Sequence, residues 1–216
     1  MDKPITIYGA AGTGSVPVEA ALTLIGRPYA VIELDTPVAT WRDRLVSINP
    51  MAQVPALILP DGQLMTESAA ILIWLAETHP GAHLSPLAAD AARPAFLRWM
   101  AYVSAAIYAL FWVRDDPLRL APDADTAALI KQRTAERITE CWRLMDAQVH
   151  PGRYILGDDL SVLDLYVAVL SRWGPRRKAF YAVAPKMTEV VRRIDADPRL
   201  TAFWAARFPF KDGWEG

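Results

Sequence analysis

The spacing of apolar and polar positions changes character once along the chain, near Pro80. Before it, short strand-like runs alternate with helical ones. ITIYG, Ile5 to Gly9, predicts a strand, and SVPVEAALTLIG, Ser15 to Gly26, predicts a helix with proline in its first turn and glycine just past its end. YAVIEL, Tyr29 to Leu34, is strand-like again. Ala39 to Asn49 carries a weaker helical spacing that ends at Pro50, which disfavours helix in the residue before it. PALIL and QLMT flank the turn signal Pro60-Asp61-Gly62 and predict an antiparallel hairpin. SAAILIWLAETHP, Ser68 to Pro80, predicts an apolar helix, which makes the order β-α-β-α-β-β-α.

Beyond Pro80 the strand signal disappears. Ala, Leu, Trp and Arg recur at helical spacing over Ala91 to Val113, Asp125 to Val149, Ser161 to Trp173 and Lys186 to Ala196. The pattern predicts an α/β domain over residues 1–80, a linker over 81–90 and an all-helical domain over 91–216. No internal repeat or low-complexity tract interrupts it.

Composition narrows the function classes. Hydrophobic residues are 53% and charged residues 22% of 216, the balance of a globular chain able to bury cores in two modest domains. A formal net charge of -1 gives no global field to recruit nucleic acid or an anionic membrane. The basic clusters Arg176-Arg177-Lys178 and Arg192-Arg193 are short and lack interleaved aromatics, so they read as solvated faces. The longest apolar run, Trp99 to Val113, falls short of the roughly 18 residues a membrane helix needs and reads as a core helix. MDKPITIYG has no signal-peptide pattern, and Cys141 stands alone, so neither export nor a disulfide nor a CxxC redox pair is expected. A reducing, cytoplasmic setting fits. His79, His83 and His150 have no metal-ligand spacing, and no metal is expected.

Two glycine patterns near the N-terminus invite a nucleotide reading. Gly12-x-Gly14 is followed by Glu33 or Asp35 at about the distance of a ribose-binding acid, but the third fingerprint position is Pro17 and the chain continues into a hairpin. Gly9-x4-Gly14 resembles a phosphate loop and continues Ser15-Val16, without the lysine that phosphates require.

QVPALILPDGQLMTES, Gln53 to Ser68, offers a different chemistry. Pro55 at the head of a strand cannot donate to the ladder, and a cis Val54–Pro55 bond would make a tight turn that turns the Val54 backbone outward, where another peptide can pair with it. Five residues past Gly62, Glu67 and Ser68 stand where a helix begins, and its N-H groups and dipole favour a carboxylate. Ser68 adds a hydroxyl and Glu67 can pair with an ammonium. On these residues alone, Ser68 as a plain cap with a solvated Glu67 is the favoured reading.

The pattern Asn49-Pro50, Val54-Pro55, Leu57 and Glu67-Ser68-Ala69-Ala70-Ile71 resembles the glutathione-binding core of the cytosolic glutathione S-transferase family. GDDLSVLDLYVAVL, Gly157 to Leu170, is similar to that family's capping-box segment, in which Ser161 and Asp164 each satisfy an N-H at a helix start. The resemblance implies a thioredoxin-like N-terminal domain with an all-α C-terminal domain, and a homodimer. It also implies glutathione as co-substrate, with Val54 on the cysteinyl backbone, Gln53 and Ser68 near the γ-glutamyl carboxylate and Glu67 near its ammonium. The resemblance further implies a small hydrophobic electrophile as second substrate, expected between the domains against the first long helix of the second, where Trp99, Tyr102, Val103, Ala106, Tyr108 and Trp112 are available.

Chemistry then requires an ionised thiol. With a thiol pKa near 8.5, about 3% is thiolate at neutral pH, and a hydroxyl bonded to a charged sulfur contributes ~1.5 to 3 kcal/mol. Thr13 occupies the place of the family's catalytic serine counted from the first strand, while the bacterial beta-class cysteine falls on Gly14. Ser15, a helix cap, and Thr13 are the expected catalytic hydroxyls, with Tyr8 third. The expected activity is transfer of glutathione to an electrophile, as in detoxification. The alternatives are a glutathione- or ligand-binding protein of the same fold without turnover, and a glutathione-dependent disulfide or peroxide reductase.

Overall fold

A computed structural model describes residues 4–34 and 38–216. The chain divides into two compact units, Met1–Ser85 with Asp195–Phe210, and Pro86–Ile194 with Lys211–Gly216. Set beside the domain plan read from the sequence, the first division falls inside the expected linker, whereas residues 195–210 group with the first unit.

The first unit contains strands β1 (Ile5–Gly9), β2 (Tyr29–Glu33), β3 (Ala56–Ile58) and β4 (Leu64–Met65), and helices α1 (Val16–Ile25), α2 (Val38–Val46) and α3 (Ser68–Thr78). The sheet order is β2-β1-β3-β4, with β1 and β2 parallel and the other neighbours antiparallel. This is the expected thioredoxin-like order. It also excludes the doubly wound sheet that a dinucleotide reading needs, because β3 returns antiparallel beside β1. Gly26 closes α1 in the left-handed conformation, as the sequence predicts. Gly9 is required for another reason: a Cβ there would lie 2.3 Å from Ser15 Oγ, so only glycine lets β1 pass this close to the start of α1.

The second unit is helical: α4 (Arg93–Tyr102), a π-helical turn (Val103–Tyr108), α5 (Ala109–Asp115), α6 (Ala124–Gln148), α7 (Val162–Leu170), α8 (Arg177–Val183) and α9 (Pro185–Asp195). α4 to α5 form one continuous helical run from Arg93 to Asp115, longer than its apolar core and, by length and composition, sufficient to cross a membrane. Its apolar stripe has a protein partner, since Phe96, Trp99, Met100, Val103, Ile107 and Phe111 are all buried at helical spacing. α7 is buried along its whole length and forms the centre of this unit. Helix α10 (Thr201–Arg207) follows and belongs to the first unit.

Candidate functional site

Strand register gathers the site. Tyr8 pairs with Ala56 across β1 and β3, and Leu57 with Met65 across β3 and β4. The loop leaving β1 (residues 10–15), the segment entering β3 (Gln53 to Pro55) and the segment leaving β4 (Glu67 and Ser68) therefore emerge at the same end of the sheet. α1 and α3, which begin there, pack against one another. One end of the first unit thus collects Thr13, Ser15, Gln53, Val54, Glu67 and Ser68.

The β3 entry is held from within. The Val54–Pro55 bond is cis. Buried Asn49 donates through Nδ2 to the Gln53 carbonyl at 2.8 Å and accepts from the Met51 N-H at 3.1 Å, which explains asparagine before Pro50. Val54 is half-buried against a cluster of Leu34, Trp41, Leu45 and Ala56 that Tyr8 also joins, so Tyr8 packs as core here. The indole Nε1 of Trp41 is buried without a hydrogen-bond partner among the described residues, an exception for a buried donor that the helical spacing did not foreshadow.

At the start of α3, Glu67 is exposed and has φ 66 and ψ 99, a left-handed backbone rarely adopted by a side-chain-bearing residue. Such conformations concentrate at ligand-holding turns. Ser68 is the buried first residue of the helix.

The β1 loop differs from the sequence expectation in one respect. Ser15 is not a side-chain cap: it is already helical in backbone and fully buried, and its hydroxyl donates to Glu19 Oε1 at 2.7 Å. Thr13 is partly exposed, and its Oγ1 donates to the Ala10 carbonyl at 2.7 Å and lies 3.2 Å from Ser15 Oγ. The Ala10 carbonyl also accepts the Thr13 N-H at 3.2 Å, so it keeps a donor if the Thr13 hydroxyl turns elsewhere.

Sequence reasoning missed Glu19 and Arg207 and left Glu33 without a role. Arg207, on α10, donates to both oxygens of buried Glu19, at 2.6 and 3.1 Å, and to Glu33 Oε2 at 2.8 Å. Glu33 Oε1 accepts the Ala11 N-H at 3.2 Å, which accounts for the acid weighed as a ribose ligand; Asp35 lies outside the described residues. No local pattern reveals a pairing between residues 188 apart.

Of the residues expected beside an electrophile, Trp99 and Val103 are buried in the second unit. Tyr102 donates its hydroxyl to the Cys141 carbonyl at 3.0 Å, and burial, reinforced by Cys141, pushes its pKa up to about 12. Ala106 accepts from the Cys141 thiol through its carbonyl. Tyr108 stacks at an angle on Trp173 with ring centres 5.2 Å apart, while Trp112 is exposed with Arg119 over its ring.

A four-stranded thioredoxin-like unit with a cis-proline strand entry and an acidic-serine helix start, joined to a helical unit, defines a glutathione transferase type of protein. Residues 4–78 match the glutathione S-transferase N-terminal domain and residues 119–207 the glutathione S-transferase C-terminal domain. The chain belongs to the glutathione S-transferase family. It is 31% identical to the uncharacterized GST-like protein YncG of Escherichia coli (strain K12), over 91% of this chain and 95% of that one. It is 32% identical to a protein of Caenorhabditis elegans named a probable maleylacetoacetate isomerase, over 78% of this chain and 77% of the other. Among solved structures, a glutathione transferase homolog from Sulfitobacter with bound glutathione superposes with a TM-score of 0.83, at 26% identity over 95% of this chain and 98% of that one.

Proposed function

We propose that this protein binds glutathione at the shared end of the sheet, ionises its thiol and adds it to a small hydrophobic electrophile. The observation that carries this reading is the convergence, by strand register, of Val54 ahead of cis Pro55, Glu67-Ser68 at the start of α3 and the Thr13 loop. The γ-glutamyl carboxylate goes to Ser68 and the N-terminus of α3, with Gln53 beside it and the ammonium on Glu67, while the cysteinyl backbone pairs with Val54. A glutathione-bound relative of the same fold supports the ligand.

In this reading Thr13 is the catalytic hydroxyl and Ser15 stands behind it. A hydrogen bond to a charged acceptor is about twice as strong as one to a neutral carbonyl, so a bound thiolate draws the Thr13 proton from Ala10. The thiol proton leaves to solvent. The sulfur lone pair then forms a C-S bond to the electrophilic carbon; in a substitution the leaving group departs with its bonding pair, and in an addition the displaced π pair stays in the product and takes a proton from solvent. Thr13→Ala should raise the thiol pKa of bound glutathione by about one to two units, and Ser15→Ala should change it little, read as thiolate ultraviolet absorbance against pH. A wild-type complex with the pKa of free glutathione favours the binding protein without turnover, or reductase chemistry, over the transferase.

The same reading makes the protein a cytoplasmic, two-fold homodimer with a role in detoxification. Sedimentation at micromolar concentration should give twice the mass of the chain; a single-chain species would remove the dimer.

A further inference from the structure

The loop that carries Thr13 is fastened from its far side by one residue of the last helix. The Arg207 carbonyl accepts the Gly12 N-H at 2.9 Å, and its guanidinium reaches Ser15 through Glu19 and Ala11 through Glu33. Glu19 is fully buried in the first turn of α1, where the helix dipole favours negative charge. A carboxylate buried there without a cation would be costly and would compete with any thiolate for the same positive end. Arg207 balances it and leaves the group of Glu19, Glu33 and Arg207 with one net negative charge.

We propose that Arg207 is a positioning residue for the thiol end of the glutathione site, neutralising Glu19 beneath the Ala10–Ser15 loop so that a thiolate can form above it. The inference rests on the glutathione reading given above. The other polar groups packed against this cluster do not duplicate the role. Tyr29, whose hydroxyl meets Thr23, has its pKa raised by burial and stays neutral, and Asp197 and Arg199, on the turn beside α1, pair with each other at 2.6 Å.

Charge and scaffold predict different signs. Arg207→Gln removes the one balancing positive charge, leaving Glu19 uncompensated, and should raise the thiol pKa of bound glutathione by about one unit. Glu19→Gln removes one negative charge, keeps an oxygen for the Ser15 hydroxyl, and should lower that pKa by a similar amount. Arg207→Lys, which keeps the charge, should stay nearer to wild type. A purely structural role would shift both glutamine variants the same way.

The experiment is a thiolate absorbance titration of glutathione-saturated wild-type, Arg207→Gln, Arg207→Lys and Glu19→Gln proteins, with calorimetric binding of S-methylglutathione, which has no thiol to ionise, as the companion. S-methylglutathione affinity should change by less than about twofold across the series. Unmoved or same-sign thiol pKa values overturn the inference alone. Absence of S-methylglutathione and glutathione binding by the wild-type protein overturns the glutathione reading and this inference with it. If Arg207→Gln does not fold, the sign of the Glu19→Gln shift decides.

Discussion

Replacing Asp164 by alanine should destabilise the folded chain by ~3 to 5 kcal/mol and lower its thermal midpoint by on the order of 10 °C. The Asp164 carboxylate, fully buried at the start of α7, accepts the Ile155 N-H, the Ser161 N-H and the Ser161 hydroxyl, each at 2.8 Å. Alanine removes all three acceptor contacts at once in the most buried helix of the second unit, where water cannot replace them. The pH dependence carries a second signature. Burial raises the Asp164 pKa from 3.8 to about 6, so between those two pH values the folded protein keeps a proton there that the unfolded chain has released, while at neutral pH both are ionised. Stability from this group is full below the unfolded value and declines as pH rises through about 6, by ~3 kcal/mol. Circular dichroism melts at pH 4, 5 and 6 should show that decline in wild type and a flatter profile in Asp164→Ala. Equal midpoints for the two proteins at neutral pH would show that the three donors find other partners.

Much of this architecture is legible in the sequence because it depends on local signals. The two-residue period of Ile5 to Gly9, the Asp-Gly turn, the glycine after α1 and the spacing of Ser161 and Asp164 each act within a few residues, and each appears where expected. What escaped depends on contacts distant in sequence. α10 joins the first unit because Arg207 meets Glu19 and Glu33, and nothing near Arg207 announces those partners. The same contact explains Ser15: a serine ahead of a helix reads as a cap, but a buried carboxylate one turn on takes its proton instead. Short α8 was hidden because seven residues hold too few periods to register. The run Arg93–Asp115 outlasts the apolar stretch Trp99–Val113 because α4 already begins at Arg93, with Pro94 in its first turn, and α5 continues to Asp115.

The second large effect concerns the ligand. Ser68→Ala and Glu67→Ala should each weaken glutathione binding by ~1 to 3 kcal/mol, roughly 5- to 150-fold in Kd. Ser68 is buried as the first residue of α3; in the proposed site its hydroxyl and the helix N-terminus would act on the same anion, and losing the hydroxyl would leave the ligand carboxylate one donor short. Glu67 is exposed and its backbone is held at a left-handed angle next to the buried Ser68. In the proposed site, alanine there would remove the partner of the ligand ammonium. The two substitutions address opposite charges of one zwitterionic group, so their effects should fall short of additive.

Calorimetric titration of reduced glutathione into the wild-type, Ser68→Ala and Glu67→Ala proteins tests the central claim most directly. The account predicts saturable binding of one glutathione per chain by the wild-type protein and a clear loss of affinity in both variants; absent binding in the wild type, or affinity unchanged in both variants, would contradict it.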